Sequence, residues 1–338
     1  MLRSMYSGIS GLKVNQTKLD VIGNNIANVG TTAFKNQRIR FQDVLSQNLK
    51  FGTGASSNVG GTNPSQVGLG VEVAGIDTMV SQGNMQPTGR NLDFAVDGDG
   101  YFVVARGKAS ETLSTETKKA DDDAETKEGL NVYYTRDGSF ALDDQGQLLT
   151  SDGYRVLGYE IDGAKIDNTG ETPTLTITPD TQKGGVKATP NTLKPLIIPD
   201  EVTYEKEKMK IKNFSVDKNG VINAVLQNNE VVAIGQIGMS SFKNPAGLYK
   251  EGKNLYSTSA SSGDALYRDG VDDTEEGKKK ESNEKGYGDI IQGRLEMSNV
   301  DLAEQFTEMI VASRAFQANG KIITTGDEIL QDLVNLKR

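Results

Sequence analysis

The chain has 338 residues, 36% hydrophobic and 6% aromatic, with 38 glycines, 8 prolines and a formal net charge of −9. Cys, His and Trp are all absent, which excludes disulfides, thiolate zinc sites and thiol nucleophiles and removes the commonest general base. The negative charge opposes binding to nucleic acid, which depends on Lys and Arg displacing counterions, and no apolar run approaches the roughly 18 residues of a membrane span.

The first element is a helix. Leu2, Met5, Ile9, Leu12, Leu19, Ile22 and Ile26 recur at three- and four-residue steps and so form one apolar stripe. Gln16 and Gly23 sit on the same seam and weaken it. The first twenty residues carry no continuous apolar core and no small-residue cleavage site, so a secretory signal peptide is not expected.

The helix then runs into NNIANVGTTAFK, residues 24–35. Asn and Gly tolerate the left-handed backbone that ends helices, so Asn24, Asn25, Asn28 and Gly30 mark the helix end. Their amides can satisfy exposed backbone groups or a partner on another copy. Phe34 and Lys35 open the segment that follows, with Phe34 as its anchor. Residues 29–70 read as a connector.

From 71 to 297 the pattern changes. Short β-rich runs appear at 92–96, 101–104, 133–135 and 154–159, and again at 214–216, 221–226, 231–239 and 255–258. Asp-Gly pairs at 97–98, 99–100, 137–138 and 152–153, and Asn219-Gly220, favour tight turns between strands. The expectation is a central antiparallel all-β domain. Its charge is concentrated in two loops. Residues 108–128 hold four basic and seven acidic side chains, and residues 264–289 hold five and nine. Both read as solvated loops, near 108–130 and 264–289.

The motifs that suggest chemistry fail on spacing. Asp97-Gly98-Asp99-Gly100 opens like a calcium loop, but Phe102 stands where the sharp turn needs glycine. The stretch from Gly83 to Arg90 has the glycines of a phosphate loop at the wrong spacing and Arg in place of Lys. No catalytic, metal or cofactor residue is nominated, no cofactor is expected, and the chain does not read as an enzyme.

The last element is a longer helix. Ser298-Asn299-Val300-Asp301 resembles a capping box. Leu302, Phe306, Met309, Phe316, Ile323, Leu330 and Val334 then follow the helical seam, with Ser313, Gly320 and Asp327 in its remaining positions. About 40 residues of helix would be roughly 60 Å long, too long to fold back on a small core. Gly23, Gly320 and Gly326 each cost about 1 kcal/mol relative to alanine in a helix interior. The expected architecture is therefore α+β. Residues 1–28 and 298–338 pair as a coiled-coil-like helical domain, completed by one another and by other copies.

Taken in order, several of these stretches resemble one family. They are MLRSMYSGISGL at 1–12, NNIAN leading to TAFK, TGRNLD at 88–93, SSFKNPAGL at 240–248, EMSNVDL at 296–302, FQAN at 316–319 and TGDEIL at 325–330. The resemblance is to the bacterial flagellar axial proteins of rod, hook and junction. It implies a structural subunit, exported unfolded by the flagellar type III apparatus and located in the extracellular flagellum. The subunit would polymerise with itself into a hollow tube, its terminal helices inside and its β domain outside. Other implied partners are the distal rod, the hook cap and the hook–filament junction proteins. Within the family, GTNP at 61–64 running into QVGLGV, together with 298–338, reads most like hook subunits, with a distal rod subunit as the alternative. Only residues 161–202 separate the two halves of the β region, so the large outer domain of some hook proteins is not expected.

Overall fold

The computed structural model describes residues 2–54, 60–108, 110–114, 130–168, 174–178, 188–204, 207–268 and 288–336. Most of both acidic loops, and Lys337 and Arg338, lie outside the described residues. The chain divides into two compact units, residues 1–81 with 298–338 and residues 82–297.

The first unit contains helices α1 (Leu2–Ala27) and α2 (Leu302–Asn335). At 34 residues α2 is about 51 Å long. It begins at Leu302 rather than at the Ser298 cap expected from the sequence. Asp301 is the N-cap, accepting from the Ala303 and Glu304 amides at 2.8 and 3.3 Å, and Glu304 puts a carboxylate in the positive first turn. Residues 298–300 stay outside the helix because Asn299 is engaged elsewhere, as described below. The same unit holds two antiparallel ribbons. Gln37–Asp43 pairs with Val71–Thr78, and Ser46–Lys50 with Ser65–Gly68. Val71–Thr78 thus belongs with the helices, together with the strand it pairs with.

The second unit shows how strand alternation builds two cores from one strand. Successive side chains point to opposite faces. In Tyr101–Arg106, Phe102 and Val104 enter one buried cluster, whereas Tyr101, Val103 and Ala105 enter another. Both faces are covered, so the strand reads as a continuous apolar run. It hydrogen-bonds antiparallel to Asn131–Thr135, Arg155–Ile161 and Met239–Ser241. One pair departs from the antiparallel expectation: Thr174–Ile177 lies parallel to Glu201–Tyr204. These two strands are not hairpin neighbours, since Ala188–Pro195 lies between them in sequence.

The glycine turns divide into two kinds. Gly153 (φ 80°) and Gly220 (φ 79°) sit in hairpins, joining Leu148–Thr150 to Arg155–Ile161 and Glu207–Val216 to Val221–Leu226. The pairs at 97–98, 99–100 and 137–138 instead connect strands that are not one another's partners. Phe94–Asp97, which precedes the first two, pairs with Asp289–Gln292. An Asp-Gly signal marks a change of direction, not the strand that will be met afterwards.

Candidate assembly site

Small residues let the two helices approach. A Cβ at Gly8 would lie 3.5 Å from Ile323 Cγ1 and 3.6 Å from the Asn319 carbonyl oxygen, and one at Gly11 would meet Asn319 Nδ2 at 2.7 Å. Glycine is poor in a helix interior, and here it permits a close backbone approach. On α2, Gln305 and Ala312 are buried, and Asn319 and Gly326 half-buried. These four positions repeat every seven residues, as a helix-pairing seam does. Lys18 and Glu308 form an ion pair at 3.3 Å beside it.

The expected apolar stripes are only partly used within one chain. On α1, Ile22 is buried and Met5, Leu12, Leu19 and Ile26 are half-buried, while Ile9 is 49% exposed. Nothing is described for the Leu2 side chain. Val14 and Val21, off the stripe, are buried, since α1 also packs on Gln37–Asp43 and Val71–Thr78. On α2, Met309, Ile323 and Leu330 are half-buried, but Leu302, Phe306, Phe316 and Val334 remain exposed. Apolar surface is thus left over in two lines. Leu302, Phe306 and Ile310 stand on one flank of α2 at four-residue steps, and Val311, Ile322 and Ile329 on another. Leu45, Leu49 and Phe51 add a third exposed apolar group. Exposed apolar side chains that adjoin one another, as Leu302, Phe306 and Ile310 do at successive turns, mark an interaction surface.

The helix-end motif is a polar clamp inside one chain. Asn25, 1% exposed, accepts from the Gln37 amide at 3.0 Å and donates to the Gln37 carbonyl at 2.9 Å and to Gln305 Oε1 at 3.0 Å. One side chain therefore joins α1, the first strand and α2. Asn28 donates to the Asn24 carbonyl and Oδ1 at 2.9 and 3.0 Å, and accepts from the Thr31 hydroxyl at 3.1 Å. The chain then turns through Ala33, left-handed at φ 55°, while Gly30 is exposed. Phe34 is buried, and Lys35, 1% exposed, donates to the Ser81 carbonyl at 2.9 Å. Asn299 fastens the other side. Its Oδ1 accepts from the Asn36 amide at 2.7 Å, and its Nδ2 donates to the Met79 carbonyl at 2.9 Å and the Ser81 hydroxyl at 3.0 Å.

These intramolecular bonds take up the amides that the sequence left open to a second copy. Asn299, Gln305 and Asn319 have no apolar signature, and periodicity could not find them. Asn25→Ala is expected to cost about 3 kcal/mol, because it strips partners from buried Gln37 and Gln305 groups. Chemical denaturation and amide exchange at Gln37 would measure it, and a loss under about 1 kcal/mol would show that Asn25 is not the fastener.

Among the described residues no group of three or more acidic side chains is placed to hold a metal ion, and no helix is long and apolar enough to cross a membrane. Three family models match the chain: "Flagella basal body rod protein" at 5–35, "Flagellar hook protein FlgE/F/G D1 domain" at 125–224 and "Flagellar basal body rod FlgEFG protein C-terminal" at 291–336. The flagellar basal-body rod protein FlgG of Bacillus subtilis is 42% identical over 338 residues, covering all of both chains. The FlgG of Borreliella burgdorferi is 32% identical over 340 residues, again covering both. The flagellar hook protein FlgE of Borreliella burgdorferi is 30% identical over 475 aligned positions, with both chains fully covered.

Proposed function

The chain belongs to the family of flagellar basal-body rod and hook proteins, and we propose that within it the chain is a rod subunit, self-assembling through its terminal helices into a hollow shaft. It is a structural flagellar protein and not an enzyme.

One observation carries the rod reading. Alignment with the Bacillus subtilis rod protein runs the full 338 residues with no extra length, whereas the Borreliella burgdorferi hook protein needs 475 positions, of which 137 have no counterpart in this chain. The hook reading favoured by the 61–71 stretch is the alternative, supported by the 30% identity over that whole alignment. Self-assembly is supported by the exposed apolar lines on α2, which a solitary chain would leave in water. In this reading the helices form a coiled-coil-like inner layer. Export by the flagellar type III apparatus, an extracytoplasmic location and contact with neighbouring axial proteins follow from the same place in the shaft.

An epitope inserted at the exposed turn 227–229 would locate the subunit by immunogold electron microscopy of native flagella. Label is expected along the straight shaft that crosses the cell envelope. Label along the curved segment outside the cell would replace rod with hook.

A further inference from the structure

The second unit is closed by its own two ends. Met85–Pro87, near its start, pairs antiparallel with Arg294–Glu296, at its finish, and Phe94–Asp97 pairs with Asp289–Gln292. Between the ladders, the Gly293 amide donates to the Asp93 carbonyl at 2.7 Å and the Thr88 amide to the Gly293 carbonyl at 2.9 Å. Beyond them the Met297 amide reaches the Asn84 carbonyl at 2.8 Å. The exit segment also enters the core. Ile290 is 2% exposed within the larger apolar cluster, and its amide donates to the Lys218 carbonyl at 2.9 Å.

A buried ion pair sits at the end of this zipper. Arg136 Nε lies 3.3 Å from Glu296 Oε2, with side chains 1% and 0% exposed. The other Glu296 oxygen accepts from the Gly83 amide at 2.9 Å. Arg136 also donates to the Gly98 carbonyl, and its guanidinium carbon stands 5.7 Å from the centre of the Tyr101 ring. Burial pushes the Tyr101 hydroxyl up to about 12, against the pull of Arg136, so the ring beneath the cation stays neutral. Four stretches distant in sequence, at 83, 98–101, 136 and 296, thus meet on one pair of charges.

We propose that Arg136 and Glu296 form a completion latch, which holds the β unit unlocked until its final strand has arrived. A chain made from its N-terminus presents residues 82–288 first. Its strands can then pair, but Arg136 has no counter-charge, and an uncompensated buried charge is strongly destabilising. Arrival of Glu296 neutralises that charge and, through the Gly83 amide, pins entry to exit in one event. The unit is therefore locked last by residues at its C-terminal boundary, and a partial chain is kept from closing prematurely. The latch holds whether the subunit sits in a rod or a hook.

The test uses full-length chain with Glu296→Gln, which keeps an acceptor for Gly83 and removes the charge, beside the double variant Arg136→Met/Glu296→Leu. An interaction formed last changes unfolding and leaves folding alone. Glu296→Gln is expected to speed unfolding about a hundred- to a thousand-fold while refolding changes less than about threefold. Exchange at the Gly83 and Met297 amides should rise in parallel. The double variant should recover part of the loss, because it removes the Arg136 charge that Glu296→Gln leaves uncompensated. Refolding slowed as much as unfolding is accelerated would place the pair early and overturn the latch. So would a double variant no more stable than the single one. If Glu296→Gln does not fold at all, the double variant must still fold; its failure would show that the charge is not the cause.

Discussion

The double substitution Phe306→Glu/Ile310→Glu is expected to abolish polymerisation and to leave the folded monomer nearly unchanged. Both side chains stand on one flank of α2, 50% and 63% exposed, away from the seam of Gln305, Ala312 and Asn319 that meets α1. Within one chain they bury little, so their loss costs the monomer little. Glutamate is a better helix former than either residue, which offsets the few tenths of a kcal/mol that like charges four residues apart cost. In a polymer the same flank would be covered by a neighbour. Fully burying a large apolar side chain is worth about 2 kcal/mol, and two carboxylates in its place would have to be desolvated as well. Together these exceed about 4 kcal/mol, so the concentration needed for assembly should rise about a thousand-fold or more. Sedimentation of polymer, with the thermal midpoint of the monomer as control, measures both. Polymers forming at the wild-type concentration would remove α2 from the contact surface. A monomer destabilised as much as the polymer would make the effect one of folding alone.

How the helices pair explains why this flank is free. A seam of leucines would bury the apolar stripe of α2 against its own α1. Here Gly8 and Gly11 face Asn319, and Asn25 faces Gln305, so the intramolecular contact is made by small and amide side chains. The larger apolar residues are displaced to either side. A helix pair built this way is held in register by hydrogen bonds and close backbone approach, with part of its apolar surface left for other copies. That division supports a subunit whose termini are ordered by their own clamp and stabilised further on assembly.

The sequence was most legible where a period carries the signal. The short β-rich run at 101–104 foretold a strand, and the three- and four-residue steps foretold both helices. It was less legible where contact depends on the absence of a side chain or on a single amide. Gly8 and Gly11 look like defects in a helix until the approach of Asn319 is known. Asn25 looks like a helix stop signal, and it is one, but its buried bonds to Gln37 and Gln305 join positions up to 280 residues apart. Arg136 merely follows the β-rich run at 133–135 and Glu296 opens the EMSNVDL stretch, and neither carries a local sign of its partner. Nothing local distinguishes a charge that will be paired and buried from one that will be solvated. The start of α2 was misplaced for the same reason: Ser298 satisfies a cap pattern, but the clamp made by Asn299 keeps the chain out of the helix until Asp301.

Gly138→Ala is expected to destabilise the β unit by about 4 kcal/mol, although the position reads as an ordinary Asp-Gly turn. A Cβ there would stand 1.9 Å from the Phe94 carbonyl oxygen and 2.7 Å from its carbon. The obstacle is backbone, and it cannot swing aside as a side chain would. Nor is Phe94 free to retreat. Its amide donates to the Gly138 carbonyl at 3.0 Å, its strand pairs at Gln292, and its ring lies 5.8 Å from that of Phe140. Phe140 in turn stacks edge-on to Phe102 at 5.2 Å. Accommodating one methyl group would therefore open the entry–exit zipper and loosen three core aromatics together, well beyond the usual cost of an overpacked side chain. Gly23→Ala supplies the contrast. Gly23 lies inside α1, a Cβ there would meet nothing within 4 Å, and alanine should stabilise that helix by about 1 kcal/mol. Chemical denaturation of the two variants, with near-ultraviolet circular dichroism following the aromatic core, is expected to give shifts of opposite sign. A Gly138→Ala protein within about 1 kcal/mol of wild type would mean that the crossing of 94 over 138 is looser than the contact implies.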